Sequence, residues 1–203
     1  MSPRVVTHAQ VVQAGTAYFL QHAHLDVDEL ASTMAVSRST LYRVIGSRDR
    51  LFGDVLDLLS ARAFSHVIGR GMPTGPAHLL DVIAEYVRYV SSAQAFRQFL
   101  REEPELAFRI LFMPEARVHV RQVARVRDLL NRAGVVPAAE QALLDDIAFA
   151  VVRLAESMIY TDLLVGREPN ARITMHLIST LLHSPWAAAG ETAPHARPTP
   201  PGP

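Results

Sequence analysis

The chain of 203 residues contains no cysteine and no lysine. Without cysteine it has no disulfide, no thiol nucleophile and no thiolate ligand for zinc. Without lysine it has neither a Schiff-base lysine nor the lysine of a P-loop phosphate site. No apolar run approaches the roughly 18 residues that cross a bilayer, and the N-terminus lacks the features of a secretion signal. We therefore expect a cytoplasmic location.

The formal net charge is zero, because the 20 arginines balance 20 acidic residues. The length suits one or two domains, and a 49% hydrophobic composition is ample for a core. The charge is unevenly spread, however: four arginines and only one aspartate lie between Met34 and Arg50. This segment carries a local positive field within a neutral chain.

The same segment predicts two short helices joined by a tight turn. Asp26 suits the N-cap of the first helix, and Glu29 stands three residues later, the spacing of a capping box. Residues 33–36 form the turn, and Ser37 suits the N-cap of the second helix. This arrangement predicts a helix-turn-helix.

The second of these helices has one apolar and one polar face. Leu41 and Ile45 point inward, and the remaining side chains are donors that can reach phosphate oxygens and base edges from the major groove. The donors are Arg38, Ser39, Thr40, Tyr42 and Arg43. Arginines on a protein surface are often only solvated, but their grouping on a capped helix favours contact with DNA.

Almost all of the rest is also predicted to be helical. Thr7 and Gln10 have capping-box spacing at the start of a first helix, and Ser47 caps a fourth that runs to about Ile68. Glycines and prolines at 69–76 then mark a break between head and body. Prolines 104, 114 and 137 suit first turns of helices. The further predicted helices span 77–93, 95–102, a stretch after Pro104, 114–133, 137–165 and 171–183.

The predicted fold is all-α, with a three-helix head and a helical body. Counting the connecting helix with the body, we assign residues 1–50 to a DNA-binding domain and 51–184 to a ligand-binding and dimerisation domain. Residues 185–203 form a proline-rich tail that we expect to be disordered. The two last helices are apolar nearly all round, which predicts burial on several sides. Either a monomer core or a second copy of the chain provides that burial.

Two segments carry a resemblance to a known family. They are THAQ at 7–10 and LASTMAVSRSTLYRVIGSRDRL at 30–51. The order small-Val-Ser-Arg-x-Thr-Leu-Tyr, followed by Ser-Arg-Asp and a hydrophobic helix, resembles the N-terminal domain of TetR-family regulators over about the first quarter of the chain. LYRVIGSRDRLFGDVL, at 41–56, is similar to the branch called QsdR, regulators of lactone quorum-signal degradation.

The resemblance implies a repressor that binds a palindromic operator in double-stranded DNA as a homodimer through its last two helices. It implies phosphate contacts by Thr7, Tyr42, Arg43 and Arg48, and base contacts by Arg38, Ser39 and Thr40. Phosphate contacts position such a protein and base contacts specify the sequence. The family usually has glycine where this chain has Ala35, at a position that favours the left-handed backbone, which implies either a left-handed Ala35 or a rebuilt turn.

The family also encloses a pocket for a small apolar or amphipathic effector in the body, with no cofactor. We predict that aromatic walls and a few polar groups line it. The predicted pocket residues are Arg88, Tyr89, Phe96, Phe99, Phe108, Phe112, Met113, Glu156 and Tyr160. The alternative is that these aromatics are core packing and that Arg88 pairs with Glu156 on a surface. The QsdR resemblance implies a lactone effector.

Two other patterns have simpler readings. Arg117, Arg121 and Arg125 recur at four-residue spacing, which predicts a solvated stripe or pairing with acids on a neighbouring helix rather than a second nucleic-acid surface. The nine histidines lack the spacing of a metal site. An all-helical enzyme lacks a recognisable nucleophile here, and a constitutive DNA binder without ligand predicts a filled body core.

Overall fold

Every regular element of the computed structural model is a helix, across residues 6–69, 75–113, 116–136, 138–165 and 171–183, which are the residues it describes. The predicted all-α class is confirmed. The helices are α1 (His8–His22), α2 (Val27–Thr33), α3 (Arg38–Ile45), α4 (Arg48–Ile68), α5 (Gly75–Ser92), α6 (Gln94–Glu102), α7 (Pro104–Phe112), α8 (Val118–Arg132), α9 (Leu144–Val165) and α10 (Ala171–His183). None of these helices is both long and apolar enough to span a membrane.

The N-caps of the first four helices lie where the sequence predicts them. Thr7 and Gln10 form a reciprocal capping box at α1. The Ser37 hydroxyl accepts from the Thr40 N–H at α3, and Ser47 caps α4 in the same way. Each cap satisfies a backbone N–H that the helix leaves without an internal acceptor. Short polar signals therefore fix the starts of α1, α3 and α4.

Only one half of the predicted capping box of α2 is present, the half formed by Asp26. The Asp26 carboxylate accepts from the N–H groups of Asp28 and Glu29, and the bond from Glu29 lowers the pKa of Asp26. The Glu29 side chain instead accepts from the Tyr18 hydroxyl on α1. Burial of Tyr18, together with this carboxylate, raises the pKa of Tyr18 to about 12. A partner from another helix outcompetes the local capping bond and ties α2 to α1.

The turn between α2 and α3 contains a strained alanine. Ala35 has φ +54°, the left-handed conformation, which is one of the two arrangements that the resemblance implied. Its N–H bonds to the Ser32 carbonyl, while the Val36 N–H bonds to that of Ala31. A side chain with a Cβ adopts this conformation at a cost of about 1–2 kcal/mol.

Replacing Ala35 with glycine should therefore stabilise the protein. Relief of the left-handed strain outweighs the roughly 0.4–1 kcal/mol that the more flexible unfolded glycine chain costs. We expect a gain of about 0.5–1 kcal/mol in urea unfolding. Ala124→Gly, at an exposed position within α8, should instead lose about 1 kcal/mol. Equal losses in both variants would contradict the strain.

Two buried clusters form the core, and the first is shared by head and body. Phe19 of α1, Phe52 of α4 and Phe99 of α6 are fully buried, with ring centroids 4.7–5.8 Å apart. The second cluster packs α5, α8, α9 and α10 together. Helix α4 contacts α1 at one end and α5, α7 and α8 along its length. The fold thus connects α3 to the body through α4.

Two helix starts in the body differ from prediction. The helix expected at 114–133 begins at Val118, because Arg117 is left-handed with φ +58° and cannot continue a helix. The helix expected at 137–165 begins as a 3₁₀ turn, Ala138–Leu143, a tighter winding that is common at helix ends. Pro114, Pro137, the glycines and prolines at 71–73 and the tail at 185–203 lie outside the described residues. The domain limits at 50 and 184 remain predictions.

Candidate DNA-binding face and ligand cavity

Helix α3 presents its polar face outward because its apolar face is fixed. Leu41 and Ile45 are fully buried in the shared core cluster. Arg38, Ser39 and Arg43 are exposed as a result, while Thr40 and Tyr42 are half-buried at the edge of that face. The Ser37 hydroxyl lies 2.8 Å from the Thr40 hydroxyl and 3.0 Å from that of Ser39. The predicted recognition residues therefore lie on one accessible surface.

The two arginines of this face differ in their surroundings. The Arg38 guanidinium lies 3.1 Å from Asp28 and 5.5 Å from the centre of the Tyr42 ring. The Arg38 and Asp28 side chains are 65% and 59% exposed, and such surface pairs contribute little free energy. Within the described part of the chain, Arg43 has no ion-pair partner. Both guanidiniums are thus available to DNA at low cost.

Thr7 and Arg48 lie at the edges of the head. Thr7 is exposed at the N-terminus of α1, where free N–H groups attract phosphate. Arg48 donates from Nε to the Leu25 carbonyl at 3.2 Å, and its Nη2 lies 3.8 Å from Glu103. Arg48 thus joins the α1–α2 link to the body, and its contact with phosphate stays a prediction.

The body contains a cavity of about 460 Å³ that is partly open to solvent, and its volume is within the range of small-molecule sites. It lies among α4, α5, α8 and α9, with α6 at one end, and its walls are mainly apolar. Four of the predicted pocket residues line it: Tyr89, Phe96, Glu156 and Tyr160. A constitutive DNA binder without a ligand would have a filled body core. In this region the structure instead has a cavity.

The other five predicted pocket residues do not line this cavity, so those assignments are corrected. Phe99 is fully buried in the core shared with the head. Phe108 of α7 and Met113, which follows α7, are exposed, and the Phe112 ring contacts those of Phe108 and Tyr160. Arg88 is exposed beside Glu85, one turn earlier on α5. Helical periodicity identified apolar faces here but not what they face.

Three polar residues that the sequence did not point to also line the cavity, one from each of three helices. Ser60 of α4 lies 2.8 Å from the Tyr86 hydroxyl of α5 and accepts from Gln122 of α8 at 2.6 Å. Burial raises the pKa of Tyr86. One signal in the sequence could have identified Ser60. It is the row of acidic and hydroxyl side chains at 54, 57 and 60 on α4, which is complementary to the arginine row on α8.

The arginine row on α8 pairs with acids on the neighbouring helix α4, which is one of the two predicted arrangements. Arg121 contacts Asp54 and Asp57, and Arg125 lies 2.9 Å from Asp57 and 3.2 Å from the Ser60 hydroxyl. Arg117 does not join the row, because it precedes α8. His8 of α1 lies 3.0 Å from Asp54 and extends the contacts to the head.

Glu156 is a buried carboxylate in the cavity wall, and it does not pair with Arg88. It accepts from Arg153 at 2.8 Å and lies 3.0 Å from Nδ1 of His119. One turn further along α9, burial raises the pKa of Tyr160 well above its usual value, and the negative charge of Glu156 adds to the effect. Tyr160 therefore remains a protonated phenol at neutral pH.

The two ends of the chain thus carry different chemistry. Helix α3 offers cationic and hydroxyl groups to a groove, and the body contains an apolar space with a few polar groups. This layout is typical of helix-turn-helix regulators in which one polypeptide carries both the DNA-binding head and a ligand-binding body.

Comparison with known proteins gives the family. The family described as "Tetracyclin repressor-like, C-terminal domain" matches residues 74–183. The solved structure of the TetR-family transcriptional repressor QsdR of R. erythropolis matches with a TM-score of 0.77 at 25% identity, over 89% of this chain and 96% of that one. No curated protein sequence matches significantly. The chain belongs to the TetR family, as predicted, and its fold implies DNA-binding transcriptional regulation and is generally non-enzymatic.

Proposed function

We propose that this protein is a transcriptional repressor that binds a palindromic operator as a homodimer and is released by a small-molecule effector. The observation that carries the proposal is that a single helix, α4, follows the exposed α3 helix and also forms part of the cavity wall. Helix α4 begins at the Ser47 cap beside α3 and passes Ser60 at the cavity. Any change of cavity shape that moves α4 also moves the head.

The last two helices support dimerisation. Phe149 of α9 and Ile173 and Leu177 of α10 are each about half exposed. Large apolar side chains grouped on neighbouring helices favour a protein partner. A two-fold pair formed by α9 and α10 would set two α3 helices about 34–36 Å apart, one turn of DNA, and would match a palindromic site.

The release mechanism is a two-state equilibrium. An effector shifts it only by binding one state more tightly than the other, so the cavity must differ between the DNA-bound and released dimers. We propose that the occupied cavity tilts α4 and changes the separation of the two heads. The sequence similarity to the QsdR branch makes an acyl-homoserine lactone or a γ-lactone our candidate effector, which suits a largely apolar cavity of this size.

DNA binding tests the α3 face directly. We expect saturable, competitor-resistant binding to the DNA upstream of the protein's own gene. Arg43→Ala should weaken binding to all sequences and reduce the salt slope by about one per protomer, because it removes a phosphate contact. Thr40→Ala should lose about 1–3 kcal/mol of discrimination at one base position per half-site. Fluorescence anisotropy at two salt concentrations measures both effects.

Arg132→Ala is the matched control, since Arg132 is an exposed arginine at the far end of α8. It should bind DNA as the wild type does. If Arg132→Ala weakens binding as much as Arg43→Ala does, general charge rather than the α3 face would explain binding. Absence of competitor-resistant binding, on this DNA and on pooled genomic fragments, would reject specific regulation.

A further inference from the structure

The cavity contains a buried tyrosine hydroxyl that nothing in the described part of the protein satisfies. Tyr160 is only 7% exposed and lines the cavity between Phe96 and Phe112, whose rings lie 6.3 and 5.4 Å from its own. No hydrogen-bond partner for its hydroxyl lies among the described residues. A buried hydroxyl without a partner is costly, and buried polar groups are normally bonded. The Tyr160 O–H is therefore available to whatever fills the cavity.

The hydrogen bonds around Ser60 leave the Tyr86 hydroxyl as a second free donor. A serine hydroxyl has two acceptor lone pairs and one hydrogen. Gln122 Nε2 at 2.6 Å and Arg125 Nη1 at 3.2 Å occupy the lone pairs of Ser60. The Ser60 hydrogen must then point to the Tyr86 oxygen 2.8 Å away. Tyr86 accepts this bond, and its own hydrogen remains for the cavity.

The orientation of the Gln122 amide supports this count. Arg125 Nη1 lies 3.4 Å from Gln122 Oε1. Because a guanidinium only donates, the oxygen of the amide faces Arg125 and the nitrogen faces Ser60. A flipped amide would place two donors against each other. The direction of the bonds therefore runs from Gln122 and Arg125 through Ser60 to Tyr86.

We propose that the Tyr86 and Tyr160 hydroxyls select the effector by donating hydrogen bonds to it, so that the site takes an uncharged molecule with acceptor oxygens, such as a closed lactone, and rejects its ring-opened hydroxy acid. This inference rests on the proposed function and deepens it. Both tyrosines line the cavity. Tyr86 offers its hydrogen to the cavity, and Tyr160, whose hydroxyl has no partner among the described residues, offers its hydrogen as well. An ester or lactone supplies acceptors without donors, which complements them.

The charges around the cavity disfavour a carboxylate ligand. Glu156 already places one buried carboxylate in the wall. The nearby cations Arg153 and Arg125 are paired with Glu156 and Asp57. Arg62 also lines the cavity, but it is exposed to solvent and is not a buried cation. A second carboxylate inside would lose hydration without gaining a buried cation, which is strongly unfavourable.

Tyrosine-to-phenylalanine variants of the full-length protein test the two donors. With γ-decalactone as the probe, Tyr160→Phe and Tyr86→Phe should each bind about threefold to tenfold more weakly by calorimetry. Sodium 4-hydroxydecanoate should bind the wild type at least tenfold more weakly than the lactone.

Tyr18→Phe is the control, because the Tyr18 hydroxyl is buried but bonded to Glu29 in the head. It should lower Tm and leave γ-decalactone affinity unchanged. Wild-type protein that binds DNA but not γ-decalactone would overturn both the lactone effector and this inference. Wild-type affinity for the lactone in both Tyr86→Phe and Tyr160→Phe, or equal binding of the hydroxy acid, would overturn the inference alone.

Discussion

Replacing Gly53 with alanine should destabilise the protein by about 3 kcal/mol or more, the upper end of the range for overpacked cores. Gly53 lies within α4, where alanine would ordinarily stabilise a helix by about 1 kcal/mol. Here the added Cβ would lie 2.2 Å from the Ala116 carbonyl oxygen and 2.9 Å from two further backbone atoms of that residue. Backbone cannot rotate aside as a side chain can, so α4 must separate from the segment that precedes α8.

Urea unfolding of Gly53→Ala, followed by circular dichroism, measures this loss. Gly15→Ala is the graded comparison, because a Cβ at Gly15 meets side chains rather than backbone, the nearest atom being Val55 Cγ2 at 3.1 Å. We expect Gly15→Ala to cost less than half as much. A Gly53→Ala variant as stable as the wild type would mean that α4 and Ala116 are farther apart in solution.

Phe99→Ala should cost about 3–5 kcal/mol of unfolding free energy, the usual loss for a fully buried phenylalanine. The ring contacts those of Phe19 and Phe52, so its removal leaves a hole where α1, α4 and α6 meet. Phe96→Ala, one turn earlier on α6, should cost less, because Phe96 is partly exposed and already borders the cavity. Thermal unfolding of both variants measures the difference.

Effector binding separates the two phenylalanines further. Under conditions where both variants are folded, Phe96→Ala should change affinity for a cavity ligand, since it alters the lining. Phe99→Leu, which retains most of the buried volume, should not. If Phe99→Leu changed ligand affinity more than Phe96→Ala does, Phe99 would belong to the site after all.

The elements that the sequence predicted well are those determined by nearby residues. Ser37 caps α3 and Leu41 points inward because a side chain three residues away and a 3.6-residue repeat are enough to fix them. The left-handed Ala35 was one of two arrangements implied by the family resemblance, and the structure adopts it. Charge spacing left Arg121 either solvated or paired with acids on a neighbouring helix, and only the packing of α8 against α4 decides for pairing.

The cavity was harder to predict because its lining depends on how separate helices pack. Phe96 and Phe99 lie one turn apart on α6, yet one borders the cavity and the other fills the core shared with α1. Ser60 and Tyr86 gain their roles only because α4 and α5 meet. Glu29 was assigned to its own helix, whereas its partner is 11 residues away on α1. Helical periodicity shows which face of a helix is apolar, but it does not show which residues that face contacts.

The shared aromatic cluster limits how this protein can be divided. Phe19 and Phe52 would be left facing water on one fragment, and Phe99 on the other, if the chain were cut at Gly69 after α4. The DNA-reading end is therefore not a transplantable module. A chimera that grafts the first four helices onto another member's sensor must carry a matching α6, and recombination between relatives is expected to keep these segments together.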